Sequence, residues 1–206
     1  MIDYITVATP CESSLTEKRS EFIAQLFPCK TAEDALAFVE TVKAKHHKAR
    51  HNVWAFSLRD GSSRYSDDGE PQGTGGIPVL SVLQKAQLTD LCCVVTRYFG
   101  GILLGASGLT RAYSGAAAQA VQEAEIRHYF EAHRVQLDID YTHYGKLSYL
   151  LPEYEILDAG SDFSDRVTLR FDIKTDLFPQ LEARLTEYFG GKPDLTIQET
   201  HFVVFP

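Results

Sequence analysis

A short apolar segment runs directly into a glycine-rich loop in the stretch Leu91-Cys92-Cys93-Val94-Val95-Thr96-Arg97-Tyr98-Phe99-Gly100-Gly101-Ile102-Leu103-Leu104-Gly105. A continuous apolar run such as that over residues 91–95 is typical of a strand covered on both faces. The alanine-rich segment that follows, about Ser107–Glu123, carries apolar residues at helical spacing. The sequence therefore predicts a buried strand, a loop and a helix in succession, as in an α+β protein.

The glycines are concentrated in this part of the chain, since nine of the fourteen lie between Gly69 and Gly115. An earlier glycine-rich loop reads Ser66-Asp67-Asp68-Gly69-Glu70-Pro71-Gln72-Gly73-Thr74-Gly75-Gly76, and Pro78 follows it at a position typical of a first helical turn. Glycine permits a positive φ and a close approach of the backbone, and a helix N-terminus presents unpaired N–H groups. The two loops together predict a polar binding surface.

The charge balance limits the kind of partner. The formal net charge is −8, and residues 135–206 hold 13 acidic but only 6 basic residues. Such a chain is poorly suited to non-specific duplex binding, because phosphate contacts dominate that affinity. The exception is Lys43–Arg64, which contains six basic residues, three histidines and one acid. This stretch is either a solvated surface or an anion-binding patch.

Nothing in the sequence indicates a membrane or export. No apolar run approaches the ~20 residues that span a bilayer, and the first residues do not form a signal peptide. The cysteines, Cys11, Cys29, Cys92 and Cys93, show no metal-ligand spacing, so we expect reduced thiols. The sequence predicts a cytoplasmic protein with no membrane partner.

The hydrophobic pattern changes near Phe130–Arg134, which predicts two domains, residues 1–133 and 134–206. The second part reads as a strand, a short helix, a hairpin with its turn at Gly160-Ser161-Asp162, a helix and a last strand. The order βαββαβ predicts a ferredoxin-like domain.

Three carboxylates of the first glycine-rich loop, Asp67, Asp68 and Glu70, suggest a possible Mg²⁺ site, because hard cations prefer carboxylate oxygens. The alternative is turn chemistry at Asp67-Asp68-Gly69, with Glu70 accepting a backbone N–H. The role of Arg97 also has two interpretations. Its guanidinium either forms a salt bridge to one of these carboxylates or contacts an external anion.

Four runs in the N-terminal half resemble the Impact family, whose bacterial members are called YigZ-like. They are Lys18–Ala24, Ala49–Ala55, Ser66–Thr74 and Val94–Gly105, and residues 108–113 extend the last one. The resemblance covers about residues 17–118. Some members carry a lysine where Leu103 stands, which makes the second loop of this chain less positive.

The resemblance implies an N-terminal domain like the second domain of a small-subunit ribosomal protein and like GHMP kinases. It also implies a C-terminal domain like the last domain of elongation factor G. Both relatives act around RNA, and the family is linked to translational control. This favours a two-domain, non-enzymatic regulator that binds RNA or the ribosome.

Our leading hypothesis is a translation-associated regulator that binds RNA or the ribosome through the Gly-rich, Arg-containing face of the N-terminal domain. One alternative is a Mg-dependent enzyme acting on a phosphorylated small molecule. Another is a protein partner docked on the Gly-rich face or on the acidic C-terminal domain. The expected nucleic-acid or anion-binding residues are Arg50, His51, Gly73, Gly75, Gly76, Arg97, Gly100, Gly101, Gly105 and Arg111. We expect Tyr98 and Phe99 to belong to the core.

Overall fold

The computed structural model describes residues 3–206, and contacts within the chain separate it into two compact units. One unit spans Tyr4–Arg127, and the other contains His128–Pro206 together with Asp3. The described residues form two five-stranded sheets and five α-helices, so the predicted α+β class is confirmed.

The N-terminal unit contains most of the elements. In chain order they are β1 (Asp3–Val7), β2 (Cys11–Glu17), β3 (Ser20–Pro28), α1 (Ala32–Lys45), β4 (His51–Ser57), β5 (Ser63–Ser66), α2 (Gly76–Lys85), β6 (Leu91–Tyr98) and α3 (Gly105–Glu123). Strand β7 (Ile126–Ile139) follows, and both β1 and β7 cross the boundary between the units.

The sheet of the N-terminal unit has the order β2-β3-β6-β4-β5, and every neighbouring pair is antiparallel. The central strand β6 is buried on both faces, as its apolar sequence predicts. Its odd-numbered apolar residues pack with α2 and α3, whereas Cys92 and Val94 pack with α1. The sheet therefore lies between one helix and a pair of helices.

Helix α1 shows why the local sequence folds as it does. The Thr31 hydroxyl accepts the N–H of Asp34 at 3.1 Å and caps the helix. Acidic residues occupy the first turn, while Lys43 and Lys45 lie in the last turn, as the helix dipole favours. The basic stretch Lys43–Arg64 thus begins at a helix C-terminus and leads into β4.

The C-terminal unit contains the rest of β7, α4 (Tyr141–Leu150), a 3-10 turn (Leu151–Tyr154), β8 (Leu157–Phe163), β9 (Val167–Lys174), α5 (Phe178–Phe189) and β10 (Leu195–Val203). Four strands of the second sheet have the order β10-β7-β9-β8 with antiparallel neighbours, and β1 is its fifth strand. Leucines of α4 and α5 pack against alternate residues of β7 and β9 to form a separate core.

Several local predictions are corrected. The predicted turn at Gly160-Ser161-Asp162 lies inside β8 instead. Gly160 has a positive φ and lies where the register between β8 and β9 shifts by one residue, as in a β-bulge. The division into residues 1–133 and 134–206 stays a prediction, and residues 130–134 lie within the continuous strand β7. Strands β2 and β5 were not predicted at all, since their mostly polar residues face solvent.

Within residues 3–206, no helix is both long and apolar enough to cross a membrane.

Candidate nucleic-acid interface

The register of the N-terminal sheet brings the predicted site residues to one end of it. His51, the first residue of β4, lies opposite Arg97, near the end of β6. On the other side of β6, Phe22 of β3 also lies opposite Arg97. Residues just outside these strands, Arg50 and Phe99, consequently gather at the same edge.

This edge contains a cavity of about 210 Å³ lined by Arg50, His51, Arg97, Phe99 and Leu103, which we call the cationic cavity. Arg97 is buried, while Phe99 and Leu103 are 51% and 84% exposed. Arg50 is exposed and has no hydrogen bond or ion pair with any residue between 3 and 206. The cavity thus combines cationic side chains with an accessible aromatic ring, which corrects the expectation that Phe99 belongs to the core.

Arg97 is held by a buried carboxylate. Its Nη1 donates to Glu70 Oε1 at 2.7 Å, and the hydroxyl of Tyr113 in α3 donates to the same oxygen at 2.7 Å. The guanidinium carbon lies 5.6 Å from the ring centroid of Phe22 and 5.5 Å from that of Phe99. Of the two readings of Arg97, the salt bridge is therefore present, and its partner is Glu70.

The Arg97 guanidinium is only partly satisfied by this arrangement. Its Nε is buried and has no hydrogen-bond partner in the described part of the chain. A buried donor without a partner is costly, so the contact with Glu70 offsets only part of the cost of burying this guanidinium. Burial, followed by the negative charge of Glu70, raises the pKa of Tyr113, so its hydroxyl stays protonated and continues to donate.

His51 has a defined tautomer. Its Nδ1 lies 2.9 Å from the backbone oxygen of Asp68, which only accepts, so Nδ1 carries a proton. That leaves Nε2 able to accept a hydrogen bond from a ligand. Asp68 itself has a left-handed backbone with φ +44°, a conformation that aspartate tolerates better than most residues. The orientation of His51 therefore depends on the backbone conformation at Asp68.

The first glycine-rich loop binds its own carboxylate. Asp67 accepts the N–H groups of Gly73, Gly75 and Gly76 at 2.8, 2.9 and 2.8 Å, at the N-terminus of α2. Partial burial by itself raises the pKa of Asp67, but the three donated hydrogen bonds outweigh it, and the pKa lies below its ordinary value. This corrects the expectation that these glycines serve an external anion.

The three carboxylates proposed for Mg²⁺ point to separate partners. Asp67 caps α2, Glu70 pairs with Arg97, and Asp68 Oδ2 accepts the N–H of Asn52 at 2.7 Å while its Oδ1 lies 3.4 Å from Lys43 Nζ. Among residues 3–206 no group of three or more His, Cys, Asp or Glu side chains is arranged to hold a metal ion. The geometry therefore does not support a magnesium site here, because each carboxylate is already held by its own partners within the chain.

The glycines of the second loop have two different roles. A Cβ on Gly100 would lie 2.0 Å from the carbonyl of Arg19, so this position requires a close approach of two backbone segments. Gly101 and Gly105 have positive φ, +84° and +70°, in open space, so they are required by conformation instead. Arg111 is exposed on α3, without a partner in the described residues, and does not line the cationic cavity.

Lys18 and Arg19 were not predicted as site residues. They form the two-residue turn between β2 and β3, both with positive φ, and both are exposed. The contact of Arg19 with Gly100 places this turn beside the second glycine-rich loop. A turn of this type usually contains Gly or Asn, so Lys18 and Arg19 do not match its usual sequence pattern. With β2 unrecognised, these cations could not be assigned to the same edge as Arg50.

The sequence comparisons agree with these motifs. The model of the Impact N-terminal domain matches residues 18–121, and a domain of unknown function (DUF1949) matches residues 137–192. The chain belongs to the IMPACT family. Its relatives include IMPACT family member YvyE of Bacillus subtilis, 34% identical over 93% of this chain and 89% of the relative. IMPACT family member YigZ of Escherichia coli is 33% identical over 95% of this chain and 98% of the relative.

A more distant relative is the protein IMPACT homolog of Dictyostelium discoideum, 38% identical over 45% of this chain and 28% of the relative. Among solved structures, the crystal structure of a hypothetical protein has a TM-score of 0.62 and 32% identity, and covers 97% of this IMPACT family chain and 98% of its own. The resemblance inferred from the four sequence runs is thereby confirmed.

Proposed function

We propose that this IMPACT family protein is a cytoplasmic, translation-associated regulator that binds RNA or the ribosome through its N-terminal domain, residues 1–133. The observation that carries the proposal is the cationic cavity, where Arg50 and Arg97 lie beside the exposed ring of Phe99. Arginine binds phosphate oxygens, and an aromatic ring stacks on any base. Single-stranded RNA offers both groups, whereas the bases of a duplex are already stacked.

Further cations extend the same surface. Lys18 and Arg19 lie beside Gly100, and Arg111 is exposed on α3, which begins where the second glycine-rich loop ends. Such cations position an RNA backbone without reading its sequence. We therefore expect affinity that falls with salt and depends little on base composition.

The fold analogies belong to the same proposal. The strand order β10-β7-β9-β8 joined by two helices supports a ferredoxin-like C-terminal domain, residues 134–206, resembling the last domain of elongation factor G. We propose a kinship of the N-terminal domain with the second domain of a small-subunit ribosomal protein. The excess of acidic residues over 135–206 suits a basic protein surface better than RNA.

The test is binding of the full chain to ribosomes and to a labelled single-stranded RNA with hydroxyl groups at both ends. We expect association at low salt that weakens steadily as salt rises, and weaker binding to a duplex of the same length. Lack of association with both ribosomes and RNA at low salt would contradict the proposal.

A further inference from the structure

We propose that the cationic cavity binds a phosphate monoester, and that the bound group is the terminal phosphate of an RNA strand. The identity of the phosphate carrier rests on the proposed function, whereas the preference for a monoester rests on the cavity itself. Three features support this preference: the available donors, the charge balance and the size of the space.

The donors come from two arginine side chains that line the cavity. Arg97 uses Nη1 for Glu70, whereas its Nη2 has no hydrogen-bond partner in residues 3–206. Arg50 is exposed and unpaired within the described residues, so its fork of donors is available. Phosphate oxygens would accept hydrogen bonds from both guanidinium groups.

The charge balance favours a dianion. Glu70 neutralises one of the two arginines, and Asp68 is compensated by Lys43 at 3.4 Å. The two arginines are thus opposed by one carboxylate, so the cavity keeps a net positive charge that attracts a dianion more strongly than a monoanion. A phosphodiester within a strand carries one negative charge, whereas a terminal phosphate carries nearly two at neutral pH. The terminal group therefore matches this set of side chains better.

The size of the cavity points the same way. Its volume of about 210 Å³ is smaller than the ~300–1,000 Å³ typical of small-molecule sites. The cavity has room for a phosphate and part of a sugar. A phosphate inside a continuous strand would also need room for the chain on both of its sides. Phe99 and the highly exposed Leu103 border the space, so the terminal base can stack outside it on the Phe99 ring.

The experiment compares RNA oligonucleotides of one sequence that carry a 5′-phosphate, a 3′-phosphate or hydroxyl groups at both ends, with adenosine monophosphate as a competitor. The full chain should bind one phosphorylated end about tenfold more tightly, as expected for added charge-assisted hydrogen bonds. Arg50→Ala should abolish this preference. Arg64→Ala removes the same charge from β5, outside the cavity, and should retain it.

Each result decides between the two proposals. If all three RNAs bind equally, the monoester inference is wrong and RNA binding survives. If adenosine monophosphate binds in an Arg50-dependent manner but RNA does not, the cavity is a monoester site for a small molecule and the RNA function is wrong. If neither binds, both fail.

Discussion

Arg97 and Glu70 form a buried ion pair, with Arg97 Nη1 2.7 Å from Glu70 Oε1 and side chains only 8% and 3% exposed. The pair joins the end of β6 to the first glycine-rich loop. It explains how a charged residue can occupy a strand otherwise buried along its length. Because removal of one partner leaves the other charge buried and unpaired, each member of the pair is needed for stability as well as for the cavity.

We predict that Glu70→Gln lowers the free energy of unfolding by about 3 kcal/mol, because the guanidinium of Arg97 loses its counter-charge. Tyr113→Phe should cost only about 1 kcal/mol, since it removes one hydrogen bond and leaves the pair intact. Urea unfolding of both variants measures the difference. Equal losses would show that the ion pair is not the dominant interaction.

The double variant Glu70→Leu/Arg97→Met separates stability from binding. Replacing a buried pair by apolar residues of similar size is often neutral or stabilising, so we expect much of the stability lost in Glu70→Gln to return. RNA binding by the double variant should remain weaker than that of the parent chain, because Arg97 is absent. Urea unfolding and RNA titration of the same preparation check both parts, and recovery of RNA affinity with stability would contradict a ligand role for Arg97.

Two adjacent glycines should respond differently to alanine. Gly100→Ala should destabilise the N-terminal unit by about 3 kcal/mol, because the new Cβ meets the Arg19 carbonyl, which belongs to the backbone. Gly101→Ala should cost about 1 kcal/mol, since only its positive φ opposes the substitution. Thermal unfolding distinguishes them, and an equal shift in melting temperature would refute the close-approach explanation.

Asp67 should contribute stability that depends on pH. Its pKa is lowered in the folded state, so the unfolded chain takes up the proton first as pH falls below about 4. The contribution is complete above that pH and is lost as pH falls through the lowered folded-state pKa. We expect Asp67→Asn to be about 2 kcal/mol less stable at pH 7, with the difference shrinking at pH 3. A difference independent of pH would contradict the capping role.

His46 should give a second pH effect, near neutrality. Burial, followed by the charge of Lys45, lowers its pKa, and its Nε2 is buried without a partner within residues 3–206. The unfolded chain therefore binds the proton first as pH falls below about 6.5, and stability decreases. His46→Gln should flatten the stability curve between pH 7 and 5. An unchanged slope would assign the effect to other groups.

The central strand β6 and helix α3 could be predicted from the sequence because their hydrophobic patterns are local. Leu91–Val95 is apolar throughout, and α3 carries its apolar residues at helical spacing. The polar strand β2 could not be read in the same way, because its position depends on pairing with β3 rather than on burial of its own residues. The two-residue turn at Lys18 and Arg19 remained hidden for that reason.

Three of the residues that line the cationic cavity could be named from the sequence, but the internal pairing around them could not. Arg50, His51 and Arg97 were all named from the sequence, and the structure brings them to one cavity. Which carboxylate holds Arg97 could not be known in advance, because Asp67, Asp68 and Glu70 are nearly consecutive. Their separation into a helix cap, a strand contact and an ion pair arises from the turn with positive φ at Asp68 and Gly69.

The most direct test of RNA binding by the cationic cavity is the affinity of the full chain for single-stranded RNA across a salt series, with Arg50→Ala compared to Arg64→Ala. Both arginines are exposed, but Arg64 pairs with Phe56, five residues along β4 from His51 and about 17 Å away. We predict that Arg50→Ala weakens binding and lowers the salt slope by about 1, while Arg64→Ala leaves both close to the parent values. Equal effects of the two substitutions, or no RNA binding by the parent chain, would contradict the assignment of the cationic cavity to RNA.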